Sequence, residues 1–234
     1  MLRLDGITLS YRDGGARRRV LDEVSISVPA GVVAAVTGPS GSGKSSLLSV
    51  AATLVRPEAG SVRIGPVEAA RLSRGEAAQL RRSRLGIVFQ SPNLIPSLTV
   101  REQLEVMARI GSPALRGLSA RELRSRAERT LEAVGLSGLG GRRPAALSGG
   151  QRQRVGIARA VFHDPEVLLV DEPTAALDRA RGDEIIDLLL QLTHERRLST
   201  VLVSHEPRHV ERADAVWTML DGRLTAQRSE RLAA

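Results

Sequence analysis

The chain has 234 residues, 42% of them hydrophobic and 2% aromatic, with a formal net charge of +8 and no cysteine. That length fits one domain, or one domain carrying a sizeable insertion, and allows an ordinary core. Disulfides, thiolate metal sites and thiol catalysis are excluded.

Leu2 to Asp5 and Val24 to Val28 alternate apolar and polar residues, the pattern of half-buried strands. No basic region followed by an apolar stretch opens the chain, so no signal peptide is predicted. Val32 to Val36 is a continuous apolar run, as in a buried parallel strand. It leads into Gly38-Pro39-Ser40-Gly41-Ser42-Gly43-Lys44-Ser45, which fits G-x-x-x-x-G-K-[ST], and Ser45 to Ala52 is helix-compatible. Lys44 is the only lysine among 34 basic residues. A compact ammonium on a flexible stem suits a tight phosphate nest better than a rigid guanidinium fork.

Val62 to Ile64 and Leu85 to Phe89 are predicted strands, and from about 92 to 163 the periodicity becomes helical. Ser119 to Glu122 forms a capping box before a helix to about Val134, with Gly135 as its stop. Leu147-Ser148-Gly149-Gly150-Gln151 opens a helix read from Gln151 to about Val161. Val167 to Val170 is a second buried strand ending at Asp171-Glu172, and Asp178 caps a helix over 179–196. Thr200 to Val203 is the next strand, and Asp221-Gly222 signals a hairpin. The longest apolar runs are too short to cross a bilayer, so a membrane role requires another chain to supply the span. The arginine clusters at 17–19, at 81, 82 and 84, at 121–129 and at 142–143 read as solvated faces, or as attraction to anionic headgroups or nucleic acid. Without interleaved aromatics they make no base-stacking platform.

The glycine-rich loop and the helix after it offer N–H groups to phosphate oxygens, and the Ser45 hydroxyl can meet Mg²⁺. A carboxylate at the C-terminal end of a parallel strand lies beside the ligand crevice of an α/β sheet. Asp171 therefore reads as a Mg²⁺ holder, through water, and Glu172 as general base or orienter of an attacking water. Ser148 and the glycine N–H groups behind it present a helix N-terminus to another phosphate.

These motifs, in this order, resemble those of the ATP-binding cassette (ABC) ATPases over nearly the whole chain, with LSGGQ intact at 147–151. The resemblance implies an α/β fold: a P-loop NTPase core with a mainly parallel sheet, an antiparallel β subdomain and an inserted α-helical subdomain. The whole of 1–234 is then one cassette, with core and β subdomain over about 1–91 and 164–234 and helices over about 92–163. It implies ATP and Mg²⁺ as ligands, with ATP held by Gly38 to Lys44, Ser45, Ser46, Gln90 and the aromatic Tyr11. It further implies that Lys44, Glu172 and the switch-like His205 act in hydrolysis, and that Ser45, Gln90 and Asp171 hold the metal. Two copies are expected head to tail, so that Leu147, Ser148, Gly149, Gly150, Gln151 and Asp178 address the ATP of the partner copy. Two departures from the family pattern are Glu206, where aspartate is common, and Pro92, where an aromatic is common.

Phe89 to Glu102 is similar to the branch of lipoprotein-release, macrolide-export and cell-division cassettes. That implies a separate permease docking near Gln90 to Val100, with Leu94, Ile95, Leu98 and Val100 either touching it or packing inside the helical subdomain. The implied location is peripheral, on the cytoplasmic face of a bacterial membrane. The alternatives are the ATPase of an ABC importer, which shares every ATPase motif, and a non-transport cassette. Residues 46–146 lack the long heptad insertion of chromosome-organising cassettes. A nucleic-acid binder would leave Glu172, His205 and LSGGQ unexplained, so no specific nucleic-acid partner is expected.

Overall fold

The buried strands are apolar at every position because both of their faces are covered. The computed structural model of the protein describes residues 1–13 and 16–228. In chain order the elements are β1 (Leu2–Asp13), β2 (Ala16–Val28), β3 (Val32–Thr37), α1 (Lys44–Ala51), β4 (Ala59–Ile64), β5 (Val67–Glu68), α2 (Arg74–Arg84), β6 (Leu85–Val88) and α3 (Val100–Arg109). They continue with α4 (Ala120–Ala133), α5 (Gly149–Val161), β7 (Val167–Asp171), α6 (Arg179–Arg196), β8 (Ser199–Val203), α7 (Pro207–Val210), β9 (Ala215–Leu220) and β10 (Arg223–Arg228).

One sheet runs β10-β9-β3-β8-β7-β6, with every pair parallel except β9 with β10. A second, antiparallel sheet runs β2-β1-β4-β5. Along β7, Leu168 and Val170 enter one apolar cluster with α3 to α6, while Val167 and Leu169 enter another with α1 and the antiparallel sheet. β3 and β8 divide in the same way, as the two-residue period of a strand requires. The expected α/β architecture is the observed one.

The termini of the elements follow local chemistry. Ser119 and Glu122 form the expected capping box, and Asp178 caps α6 over the expected 179–196. Asp221 (φ 46°) and Gly222 (φ 78°) make the tight β9–β10 turn. Three features differ from the sequence expectation. The β1–β2 hairpin extends well beyond 2–5 and 24–28. Helix α2, capped by Ser73 and Glu76, is absent from that expectation, because only Ala77 and Leu80 of its eleven residues are buried and no clear apolar stripe results. Helix α5 starts two residues before Gln151.

Register then places the site. Val36 of β3 and Asp171 of β7 both lie opposite Val203 of β8, so three strands end in one row. The glycine-rich loop comes directly after β3, Glu172 directly after β7, and His205 two residues beyond β8. All three are thereby brought to one edge of the sheet.

Candidate functional site

The glycine-rich loop is shaped by close packing. Gly38 has φ 144°, and a Cβ there would overlap the carbonyl oxygen of Met219 in β9. Gly43 has φ 111°, and its Cβ would lie 2.6 Å from the Val20 carbonyl oxygen. Gly222 also donates to the Ser42 carbonyl at 3.0 Å, so the C-terminal hairpin braces the loop. No side chain caps α1, which leaves its first N–H groups directed at the loop. Lys44 is only 8% exposed, and its Nζ donates to the carbonyls of Gly38 and Pro39, both at 2.8 Å. The buried Ser42 hydroxyl has no hydrogen-bond partner. Open helix N–H groups, a buried ammonium and an orphan hydroxyl together fit a phosphate chain.

Asp171 and Ser45 line one cleft of about 90 Å³ with Val88 and Phe89. Burial pushes the Asp171 carboxyl up, the Glu172 carboxylate adds to the effect, and the Lys44 ammonium opposes it. One hydroxyl and one carboxylate form an all-oxygen donor set. That suits Mg²⁺, which keeps waters and uses substrate phosphates in place of a full protein cage. No group of three or more His, Asp or Glu side chains that could hold a metal ion occurs among the described residues.

Glu172 has φ 42° and donates its N–H to the Val203 carbonyl at 3.1 Å. Left-handed backbone at a non-glycine residue costs on the order of 1–3 kcal/mol and clusters at functional sites. Here it turns the carboxylate toward His205, with Oε1 3.5 Å from Nδ1.

Ser148 is the N-cap of α5: its hydroxyl accepts from the Gln151 N–H at 3.3 Å, and the Gln151 Oε1 accepts from the Ser148 N–H at 2.9 Å. The LSGGQ segment is thus also a capping box, which the sequence reading missed although S-x-x-Q is its signal. Ser148 is exposed and Leu147 buried. A Cβ on Gly149 would lie 3.4 Å from Leu177, and one on Gly150 3.6 Å from Arg181, so this helix end packs beside the Asp178 cap.

Several expected residues are not joined to the loop. Among the described residues, no hydrogen bond or ion pair links 38–46 with 147–151 or 178. Gln90 is exposed just beyond Phe89 and is not among the residues that line the cleft. Tyr11 is 45% exposed and sits opposite Arg18 on the hairpin that also carries Val20. Val100 is fully buried, which removes it as a partner contact, while Leu94 is half-buried against the core and Ile95 is 43% exposed. Pro92 packs on Gly156 of α5, so that departure serves internal packing.

The sequence pattern of the ABC transporter family matches residues 21–175. The chain is 44% identical, over 97% of its length, to the macrolide export ATP-binding/permease protein MacB of Paracoccus denitrificans, and covers 33% of that protein. It is 39% identical to the lipoprotein-releasing system ATP-binding protein LolD of Legionella pneumophila, covering 93% of this chain and 94% of the relative. The chain therefore spans about a third of the macrolide-export relatives but nearly all of the lipoprotein-releasing one. An ATP-binding cassette solved as a dimer, in a post-hydrolysis state with ADP and phosphate, superposes with a TM-score of 0.88 at 33% identity, over 98% of this chain and 99% of that one.

The raised carboxyl of Asp171 gives a prediction whose sign is set by linkage. The folded state holds this proton more tightly than the unfolded chain. Stability is therefore lost as pH rises from the unfolded value of 3.8 through the raised folded one, and the penalty persists at neutral pH. Asp171→Asn is expected to raise the melting temperature at pH 7 without nucleotide and to weaken Mg²⁺-dependent ATP binding. A lower melting temperature would contradict the assignment.

Proposed function

Since this chain belongs to the ABC transporter family, as an ATP-binding cassette that hydrolyses ATP, we propose that two copies close head to tail over two ATP molecules and drive a separate membrane permease of the export or mechanotransmission type. The single observation that carries this reading is the division of the site. A phosphate cradle with its acidic pair lies at one sheet edge, while an exposed, capped helix N-terminus at Ser148 has no bond to it among the described residues. Such a helix end favours an anion, and the family relationship supplies one on the second copy.

In the proposed reaction the α1 N–H groups bind phosphate oxygens, and Lys44 exchanges the Gly38 and Pro39 carbonyls for them. Ser45 and Asp171, with Gln90, would hold Mg²⁺, and the bound ion would offset the phosphates' negative charge. Glu172 orients a water and takes its proton as the water oxygen attacks the γ-phosphorus and the bond to the β–γ bridging oxygen breaks. His205, 3.5 Å from Glu172, faces the γ-phosphate. Ser148 and the α5 N–H groups of the second copy bind that phosphate from the other side, next to its Asp178 turn. Gln151 contributes by holding the cap. Tyr11 stacks on adenine, and Ser46 lies beside the phosphates at the start of α1.

The permease reading has its own support. A groove of about 420 Å³ between α2, β6, α3 and α5 is lined by Ile87, Phe89, Met107 and Ile110 together with Arg82 and Arg159. Phe89 is 41% and Ile110 50% exposed. The Arg82 Nε is buried without a partner, and burial holds the Arg159 pKa down. A cytoplasmic helix of the permease with an apolar face and a carboxylate would match this lining. Helix α5 links the groove to the ATP site: Arg159 donates to the Pro92 and Asn93 carbonyls, Gln153 donates to the Phe89 carbonyl, and Ser148 caps the helix start. No helix of the described residues is long and apolar enough to cross a membrane. In this reading the permease supplies the membrane span and the cassette sits peripherally, on the cytoplasmic face of a bacterial membrane.

Glu172→Gln is expected to leave ATP binding intact, lower turnover by about a hundredfold or more and accumulate an ATP-bound dimer by light scattering. Normal hydrolysis would remove Glu172 from its role. Ile110→Glu is expected to keep nucleotide affinity while abolishing co-purification with the permease. A retained complex would contradict docking in the groove.

A further inference from the structure

Among the described residues, the side chains of Glu172 and His205 pair only with each other. The His205 side chain is 59% exposed and the Glu172 side chain 27%, and among the described residues neither side chain has another hydrogen-bond or ion-pair partner. Packing of the two side chains therefore does not set their separation. The backbone segments carrying them must, and those segments meet one step further along the chain. Thr174 lies two residues after Glu172, and Glu206 directly follows His205.

Behind them lies His209, a buried histidine that the hydrolytic scheme does not use. It is 0% exposed. Its Nδ1 is 3.5 Å from the Thr174 hydroxyl and 3.8 Å from Glu206 Oε1, and its Nε2 is 3.3 Å from Asp183 Oδ1 on α6. Thr174 also donates to Glu206 Oε1 at 3.4 Å. Arg208 closes the ring, with its Nε 2.8 Å from Glu206 Oε2 and its Nη1 3.5 Å from Asp183 Oδ2. Burial alone would push the Glu206 carboxyl up, but the Arg208 hydrogen bond and the charges of His209 and Arg208 outweigh it and hold the group below the usual carboxylate range. Glu206, one of the two departures from the family pattern, thus contacts both Thr174 and Arg208.

We propose that His209 and Asp183 are positioning residues: through Thr174 and Glu206 they lock the segment after Glu172 to the segment after His205, and so hold the two reacting side chains at their working separation. The imidazole serves three segments at once, the loop after β7, α6 and the turn into α7. Each contact is long, so the network holds position by being shared among several groups. Because the claim concerns hydrolysis, it rests on the roles given above to Glu172 and His205.

The test uses the full chain with Thr174→Val, Thr174→Ser, Asp183→Asn and, as a reference, Glu172→Gln. Thr174→Val preserves shape and removes the hydroxyl, whereas Thr174→Ser retains it. Steady-state hydrolysis is measured together with the NMR ring signals of the four histidines, a readout that needs no turnover. Thr174→Val and Asp183→Asn are expected to lower kcat about tenfold at nearly unchanged KM and to move the His205 ring signals, with Thr174→Ser close to wild type in both. Wild-type kcat and unmoved His205 signals in Thr174→Val and Asp183→Asn would overturn the proposal, as would an equal loss in Thr174→Ser. If Glu172→Gln hydrolyses ATP normally, the underlying catalytic reading fails. If Glu172→Gln is inactive while Thr174→Val is normal, only the positioning role fails.

Discussion

The ammonium of Lys44 is almost fully buried, and a buried charge is tolerated only with partners in hydrogen-bonding distance. Its partners here are two carbonyls of its own loop, both at 2.8 Å. To present them, the chain must turn back on itself between β3 and α1. The turn is possible only where Gly38 and Gly43 let the backbone pass the Met219 and Val20 carbonyls. Those carbonyls belong to β9 and β2, so the shape of the phosphate site depends on strands far from it in sequence. Strand β9 in turn pairs with β3, and the turn after it holds the Ser42 carbonyl. The cradle, the sheet edge and the C-terminal hairpin thus form one mechanical unit around one charge.

The parts of this arrangement that were legible in the sequence are those whose chemistry is local. The phosphate loop, the acidic pair after an apolar strand, the Ser119 cap and the Asp221-Gly222 turn each depend on residues within a few positions of one another. Their order also conveyed the α/β architecture, because both-face burial leaves an uninterrupted apolar run. What was not legible depends on long-range contact. The β1–β2 hairpin is long because β4 and the core cover it, α2 buries only Ala77 and Leu80, and Val100 is a core residue although its chain neighbours Thr99 and Arg101 are only half-buried. The grouping of Thr174, Asp183, Glu206, Arg208 and His209 is created by the meeting of α6, α7 and the loop after β7. The cap formed by Gln151 is local and legible as S-x-x-Q, although the same five residues also form the LSGGQ pattern.

Helix α5 links the halves of the account. Its N-terminus is the exposed Ser148 cap, its middle holds the segment around Phe89 and Pro92, and its last turns lie in the core with one face of the main sheet. A push on the apolar groove and a phosphate at the helix start act on the same rigid rod. In the proposed function this is the physical path by which closure over ATP would reach a membrane partner, and it requires the Ser148 end to engage a phosphate held by another copy.

That requirement is tested most directly by mixing two inactive variants, Lys44→Ala and Ser148→Arg. In a mixed dimer both lesions fall in one composite site and the other site is intact. Random pairing should therefore restore about a quarter of wild-type hydrolysis, while each variant alone stays inactive. No restoration on mixing, with both variants folded and the Ser148→Arg chain still binding ATP, would contradict a site shared between two copies.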